Sequence, residues 1–374
     1  MTVPKRSAAL KYIFNKQPST PRGLVGLTNL GNTCFMNSIL QCIFATELLM
    51  GYFLSSDYLS DLNLKSPMKG QLANSFAQVV QDALAPANRT HVLNPSRFKR
   101  QIDNWAPQFA GYNQQDAQEF LRFMLDGLHE DLNRVTVRPR YTYKDVDVDK
   151  LSDVDKARFS WHRYMPGTAV SYLVRLQRIL CILLKHFRFV RRSTTKHSSM
   201  PHLPSPIHNI RHILGPLPPH PKATKCTLTD CLLEFSASEV LPDLYRCDAC
   251  KTRSQASKRL RIYKTPEILV LHLKRFTNSR DKIETFVQFP LRRLSLESVM
   301  TDTPGHDQIV YYDLFGVSSH MGGLGGGHYV AHQRSWDTGL WYEKNDSVVR
   351  EVDEGRIEGL GRSGYVLFFQ KSRQ

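Results

Sequence analysis

Residues 26–42, GLTNLGNTCFMNSILQC, set a single cysteine between a glycine-containing turn and an apolar helical run. From Ser38 onward Ile39, Leu40, Cys42, Ile43, Phe44 and Leu48 recur at the helical period, which predicts a helix N-terminus at or just after Cys34. A helix start offers unpaired backbone N–H groups and the positive end of the peptide dipoles, so a thiol there is expected to ionise more readily than a free one. Most unpaired cysteines are instead small buried hydrophobes. The polar neighbours Asn29, Asn32, Thr33 and Asn37 argue for chemistry at Cys34, provided a base is supplied from elsewhere.

Working outward, the next patterned stretch is 109–132, FAGYNQQDAQEFLRFMLDGLHEDL, where Ala117, Phe120, Leu121, Met124, Leu125, Leu128 and Leu132 follow three- and four-residue steps. It predicts an amphipathic helix with a polar opening. Asp116 and Glu119 are three apart and share a face; on structural grounds alone, Asn113 would cap the helix and the two carboxylates would complement its dipole. Shorter helices are expected over 70–84, from Pro95, and over 225–235. Strands are expected over 262–276, 311–319, 329–334 and 365–369, with His272 an ordinary residue of the first. Five glycines and Leu324 fill positions 322–327, a run over which another backbone can approach closely. His328 follows at the head of a strand, and Asn345 and Asp346 come seventeen and eighteen residues after it.

The 374-residue chain is 41% hydrophobic and 22% charged, a globular composition. Its first 22 residues read as a flexible leader without the apolar run of a signal peptide, and no stretch is long and apolar enough to span a membrane. A cytoplasmic or nuclear protein is therefore expected. Seven cysteines scattered over this length do not form a secreted disulfide framework. The net charge of +16 is local: residues 156–225 hold thirteen Lys and Arg and no acid. That argues against nucleic-acid binding by the protein as a whole. Within this segment 172–192 is a basic amphipathic pattern, and 198–221 contains seven prolines and four histidines.

A cysteine at a helix start, a histidine at a strand start and an amide or carboxylate beyond it make up the Cys–His–Asn/Asp set of thiol hydrolases. Cys34 would attack a carbonyl carbon and His328 would take its proton and pass it to the leaving amine. Asn345 or Asp346 would hold the imidazole, and backbone N–H groups near Cys34, with the Asn29 amide, would stabilise the oxyanion.

The same residues carry a family resemblance. GLTNLGNTCFMNSILQC resembles the cysteine box of the ubiquitin-specific proteases, GYNQQDAQEFLRFMLDGLHEDL their glutamine–aspartate box, and GGHYVAHQR with WYEKNDSVV their histidine box. LYRCDACKTRSQASKRLRIYKTPEILVLHLKRF and VQFPL are similar to the connecting segments. The resemblance implies an α+β, papain-like fold of thumb, palm and fingers over residues 23–374, with a helical thumb carrying Cys34 and an antiparallel β palm carrying His328. It implies Cys34 as nucleophile, His328 as base, Asn345 as third member with Asp346 as a substitute, and Asn29 as oxyanion donor. Asp116 and Glu119 would bind an arginine of the ubiquitin tail, and the loop ending in Gly326 and Gly327 would border the channel for the tail's two terminal glycines. The activity implied is hydrolysis of isopeptide or peptide bonds after that Gly-Gly, by a monomer without a catalytic cofactor or membrane insertion. Ubiquitin and ubiquitinated proteins would be its partners.

One departure concerns the fingers. Cys247 and Cys250 form a C-x₂-C pair, half of the family's zinc site, whereas the first pair is absent and the atypical segment 165–223 stands in its place. A structural zinc is therefore not expected and the fingers would be degenerate, unless the segment is not authentic coding sequence. The alternative function is a catalytically weak ubiquitin-binding scaffold.

Overall fold

The computed structural model describes residues 22–84, 92–133, 224–246, 252–258, 262, 265–277, 281–300, 310–323 and 326–372. The leader up to residue 21, the segment 165–223, Cys247 and Cys250 lie outside the described residues.

The N-terminal half is helical. After the short strand β1 (Gly26–Leu27) come α1 (Cys34–Phe44), α2 (Glu47–Leu54) and α3 (Gln71–Leu84); then β2 (Val92–Leu93), parallel to β1, α4 (Ser96–Trp105) and α5 (Ala117–Asp131). All eleven residues of α1 are buried, so it is the central helix, enclosed by α2, α5 and the sheet. Phe35 of α1 packs against Phe109 and Phe120, with ring centroids 5.9 and 5.5 Å apart. Asp131 closes this half: its buried carboxylate accepts from Ser66 Oγ and from the backbone N–H groups of Gly70, Leu72 and Ala73, which caps the start of α3.

The C-terminal half is sheet. It contains β3 (Lys225–Thr227), α6 (Leu228–Phe235), β4 (Glu239–Arg246), β5 (Arg253–Lys258), β6 (Ile268–His272), β7 (Phe286–Gln288), β8 (Leu294–Ser295), β9 (Tyr311–Gly323), β10 (Gly326–Arg334), β11 (Trp341–Asn345), β12 (Val348–Val352), α7 (Glu354–Glu358) and β13 (Gly364–Lys371). The main sheet is antiparallel in the order β12-β11-β10-β9-β13-β6, with β8 also on β9. β4 and β5 form a separate antiparallel ribbon. The α+β expectation holds.

The run YVLFF is continuously apolar because β13 is buried on both faces. Val366 and Phe368 join the core shared with the helices, and Leu367 and Phe369 join a second core with α6 and β7. β6 divides the same way, Ile268 and Val270 against Leu269 and Leu271. Arg275, fully buried, donates to the carbonyls of Gly364, Ile283, Thr285 and Gly361 and so ties β13 to the chain preceding β7. The helix expected over 225–235 is in fact a short strand followed by α6. Thr227 and Asp230 form a reciprocal capping box that starts the helix only at Leu228. The strand expected over 262–276 contracts to β6, with an isolated bridge at Ile262.

Candidate active site

Cys34 is the first residue of α1, as its periodicity implies. The turn before it is built by Asn29, whose Oδ1 accepts from the N–H groups of Gly31 and Thr33, both at 3.0 Å. Asn32 continues the turn in the left-handed region at φ 56°. The Cys34 thiol is buried, with the backbone amides of Tyr329, Phe35 and Cys34 itself near enough to act against the desolvation of an anion. Those donors favour a thiolate. Burial outweighs them, and the Asp346 carboxylate adds to it, so the thiol pKa is raised rather than lowered. The helix start is expected to favour the thiolate; the thiol is instead held protonated, because loss of solvent costs the anion more than the helix start returns.

α1 packs against β10, the strand that carries His328. His328 Nε2 lies 2.7 Å from Asn345 Oδ1, at the end of the neighbouring strand β11. The acceptor is an amide oxygen, so Nε2 carries the proton and Nδ1 is the free basic nitrogen. Asp346 stands farther off, its Oδ2 4.0 Å from Nε2. It serves a different set of partners: Oδ2 accepts from Asn29 Nδ2 at 2.9 Å, Oδ1 from Asn37 Nδ2 at 2.8 Å, and its carbonyl from Leu27 N–H at 2.8 Å. Asp346 therefore braces the cysteine turn against the sheet.

This brace depends on a tight hairpin. Asn345 pairs with Val348, leaving Asp346 and Ser347 as a two-residue turn with Asp346 at φ 47°. β1 presses on that turn so closely that a Cβ at Gly26 would fall 2.3 Å from the Ser347 carbonyl oxygen. The opening glycine of the cysteine box is thus a packing requirement.

On the other side, Asp116, not Asn113, is the N-cap of α5, its Oδ1 accepting from Glu119 N–H at 2.9 Å. Its Oδ2 accepts from the Tyr365 hydroxyl of β13. Asp116 and the exposed Glu119 line a cleft of about 330 Å³ with Arg122, Lys274, Phe276 and Tyr365. His272 also borders it; desolvation lowers its pKa to about 4.

Between this cleft and His328 run the glycines. A Cβ at Gly327 would meet His320 Nε2 at 2.2 Å, so that position is closed to any side chain, whereas Gly326 faces open space. Gln114, from the polar opening of α5, pairs its amide with Gly327, donating to the carbonyl at 2.9 Å and accepting from the N–H at 2.8 Å. Lys282 Nζ holds the opposite edge of the hairpin through the carbonyls of His320 and Gly322, both at 2.9 Å. Neither Gln114 nor Lys282 is assigned a role by sequence; the amide run at 113–115 was the available signal for the first. Among the described residues no cluster of three His, Cys, Asp or Glu side chains is arranged to hold a metal.

A thiol at a helix start packed on a sheet that carries a histidine–amide pair is an arrangement compatible with cysteine-dependent acyl transfer. The chain matches the family model for ubiquitin carboxyl-terminal hydrolase over residues 25–369 and belongs to that family. It is 38% identical over 360 residues to ubiquitin carboxyl-terminal hydrolase 2 of Homo sapiens, covering 93% of this chain and 55% of that protein. With the protein of the same name from Gallus gallus the identity is 39% over 356 residues, 93% of this chain and 94% of the relative. Ubiquitin carboxyl-terminal hydrolase 21 of Homo sapiens is 34% identical, with 93% and 61% covered. The chain thus spans little more than half the length of the human relatives it matches. Among solved structures it resembles the SAGA DUB module of Ubp8, Sgf11, Sus1 and Sgf73 bound to monoubiquitin, with TM-score 0.68, 25% identity, and 95% of this chain and 71% of that chain covered.

Proposed function

We propose that this chain is a thiol-dependent deubiquitinase that cleaves isopeptide or peptide bonds after the C-terminal Gly-Gly of ubiquitin. The observation that carries the reading is the joint placement of Cys34, His328 and Asn345. His328 Nε2 is committed to Asn345 at 2.7 Å, and α1, which Cys34 begins, packs against the strand that carries His328. The comparisons favour ubiquitin as the partner, because the relatives are named for it and one structural neighbour holds it.

Cys34 rests as a thiol because burial raises its pKa. Its proton passes to His328 Nδ1 as the sulfur forms a bond to the glycine carbonyl carbon. The oxyanion receives N–H groups from the start of α1 and the second hydrogen of Asn29 Nδ2, the first being given to Asp346. His328 then returns its proton to the leaving lysine amine as the C–N bond breaks, leaving a thioester on Cys34. Water, deprotonated by His328, attacks the thioester; the sulfur leaves as thiol and the ubiquitin carboxylate is released. Gly326 and Gly327 border the channel for the tail's two terminal glycines, and Asp116 with Glu119 receives a tail arginine. The protein acts as a monomer in the cytoplasm or nucleus, and no metal takes part in the reaction.

Ubiquitin carrying a thiol-reactive C-terminal warhead tests this. Wild type becomes labelled and Cys34→Ala does not; a folded wild type that resists labelling rejects the assignment and favours the binding scaffold.

A further inference from the structure

The reaction scheme leaves one ionisable side chain in the middle of the site's framework without a task. Lys344 precedes Asn345 on β11 and is 1% exposed. Its ammonium donates to the Gly23 carbonyl and to Gln41 Oε1, the latter at 2.9 Å. With the Gln333 amide oriented so that both its ends are satisfied, Gln333 accepts from Lys344 Nζ at 3.0 Å and donates to the Gln41 carbonyl. Three N–H donors therefore meet three neutral oxygens, and no carboxylate takes part. Gln41 extends the network by donating to the Val25 carbonyl at 2.7 Å.

Gln41 lies on α1, seven residues beyond Cys34 and so about 10 Å along the same helix. Gln333 lies on β10, the strand of His328. Lys344 is adjacent to Asn345. In the β10–β11 register Ala331 faces Lys344 and Gln333 faces Tyr342, so Gln333 and Lys344 are diagonal neighbours on the face covered by α1.

We propose that Lys344 is a positioning residue, a buried ammonium whose hydrogen bonds join the three elements carrying Cys34, His328 and Asn345 and set their relative placement. This rests on the roles proposed above for those three residues. An apolar side chain would fill the same space without desolvating a charge, at the cost of leaving the Gly23 carbonyl and the Gln41 and Gln333 side-chain oxygens without this donor. What an apolar side chain lacks is direction. Three hydrogen bonds of defined geometry fix both the rotation of α1 and its slide along the sheet, whereas apolar packing tolerates small shifts of each. A displacement of about 1 Å in a reacting group is enough to cost about 10²-fold in rate. Burial lowers the Lys344 pKa to about 7, and the ionisable group facing it is the buried Cys42 thiol of α1.

The test compares wild type with Lys344→Met in the full chain. Three quantities are read: thermal unfolding, kcat and KM on a fluorogenic ubiquitin C-terminal amide, and the pH profile of Cys34 alkylation by iodoacetamide, followed by mass on the Cys34 peptide. The variant is expected to unfold at a lower temperature yet remain folded at the assay temperature, to lose at least tenfold in kcat with KM within twofold, and to alkylate with its inflection moved to higher pH. A folded variant with unchanged kcat and an unchanged alkylation profile overturns the proposal. If Lys344→Met does not fold, Gln333→Met keeps the ammonium while removing one acceptor; the same kcat and alkylation changes are expected, and wild-type values overturn the proposal. Alkylation needs no ubiquitin. Failure of the wild type to hydrolyse the ubiquitin amide would therefore reject the function while leaving the placement of the three residues separately measurable.

Discussion

Asn345 reaches His328 through an amide oxygen at 2.7 Å, and this contact holds the ring with Nε2–H toward β11 and Nδ1 free to act as base. Removing the oxygen leaves the ring able to rotate and to adopt the other tautomer. Asn345→Ala is therefore expected to lower kcat by about 10²-fold, within the range assigned to general acid–base catalysis, with KM changed little. Asn345→Asp, which keeps the acceptor, should retain most of the rate. Activity of Asn345→Ala within twofold of wild type would show that Asp346, 4.0 Å from the ring and already committed to Asn29 and Asn37, takes over the contact. At this scale the positions of Cys34 and Asn345 are legible in the sequence because each occupies the start or end of an element whose pattern is local, whereas His328 is the third residue of β10, whose first two glycines hide the strand's start. The acidity of Cys34 is not legible, because its sign is decided by how completely the sheet covers the thiol. Lys344 is half legible: it sits at the inward phase of the β11 alternation, two residues from the buried Tyr342. Its partners, however, are as far as 321 residues away in sequence.

The α5 helix illustrates the element scale. Asp116 has two tasks there, capping the helix and accepting from Tyr365, and a third is proposed for it in binding a cationic tail. The tasks separate by substitution. Asp116→Ala loses the cap, worth about 1 kcal/mol, and leaves the buried Tyr365 hydroxyl unpaired at a further cost of about 1–3 kcal/mol. Asp116→Asn keeps a good cap and an acceptor but not the charge. Denaturant unfolding should place Asp116→Ala about 2–4 kcal/mol below wild type and Asp116→Asn within about 1 kcal/mol. Both should raise KM for the ubiquitin amide; an unchanged KM in Asp116→Asn would reject the cationic-tail role. The existence of α5 and its apolar face follow directly from its period. Its N-cap does not, since Asn113, Asp116 and the glutamines between them all suit a helix start, and the choice is made by Tyr365 on a distant strand. The strand β3 was hidden for a related reason: three residues before a capping box carry too little alternation to be seen, and its pairing with β7 spans about sixty residues.

Across the whole molecule, the two cores meet on either side of one sheet, and three histidines are enclosed where they meet the helices and loops. His272, His320 and His332 each have a pKa lowered to about 4, in every case chiefly by burial. The charges facing them do not reverse this. Asp116 opposes the shift of His272 and Lys274 assists it; Lys282 and His328 assist that of His320, again against Asp116; Glu343 opposes and Arg356 assists at His332. His272 Nε2, His320 Nδ1 and His332 Nδ1 are buried without a hydrogen-bond acceptor among the described residues, so a second proton on any of these rings has no partner. In the unfolded chain a histidine titrates near 6.5. Between that pH and 4 the unfolded state binds more protons than the folded one, so stability is complete above about pH 6.5 and is lost as pH falls toward 4. His272 and His332, the more fully enclosed, should each contribute a slope approaching about 1.4 kcal/mol per pH unit, with a smaller part from His320. Urea unfolding from pH 7 to pH 4.5 measures the sum. His272→Phe preserves the ring that packs edge-on against Tyr365, with centroids 4.7 Å apart, and removes one titration. It should unfold with a pH slope shallower by nearly one proton while matching wild type near pH 7. A slope equal to that of wild type would mean that His272 is already charged in the folded protein, and that Asp116 across the cleft outweighs the burial.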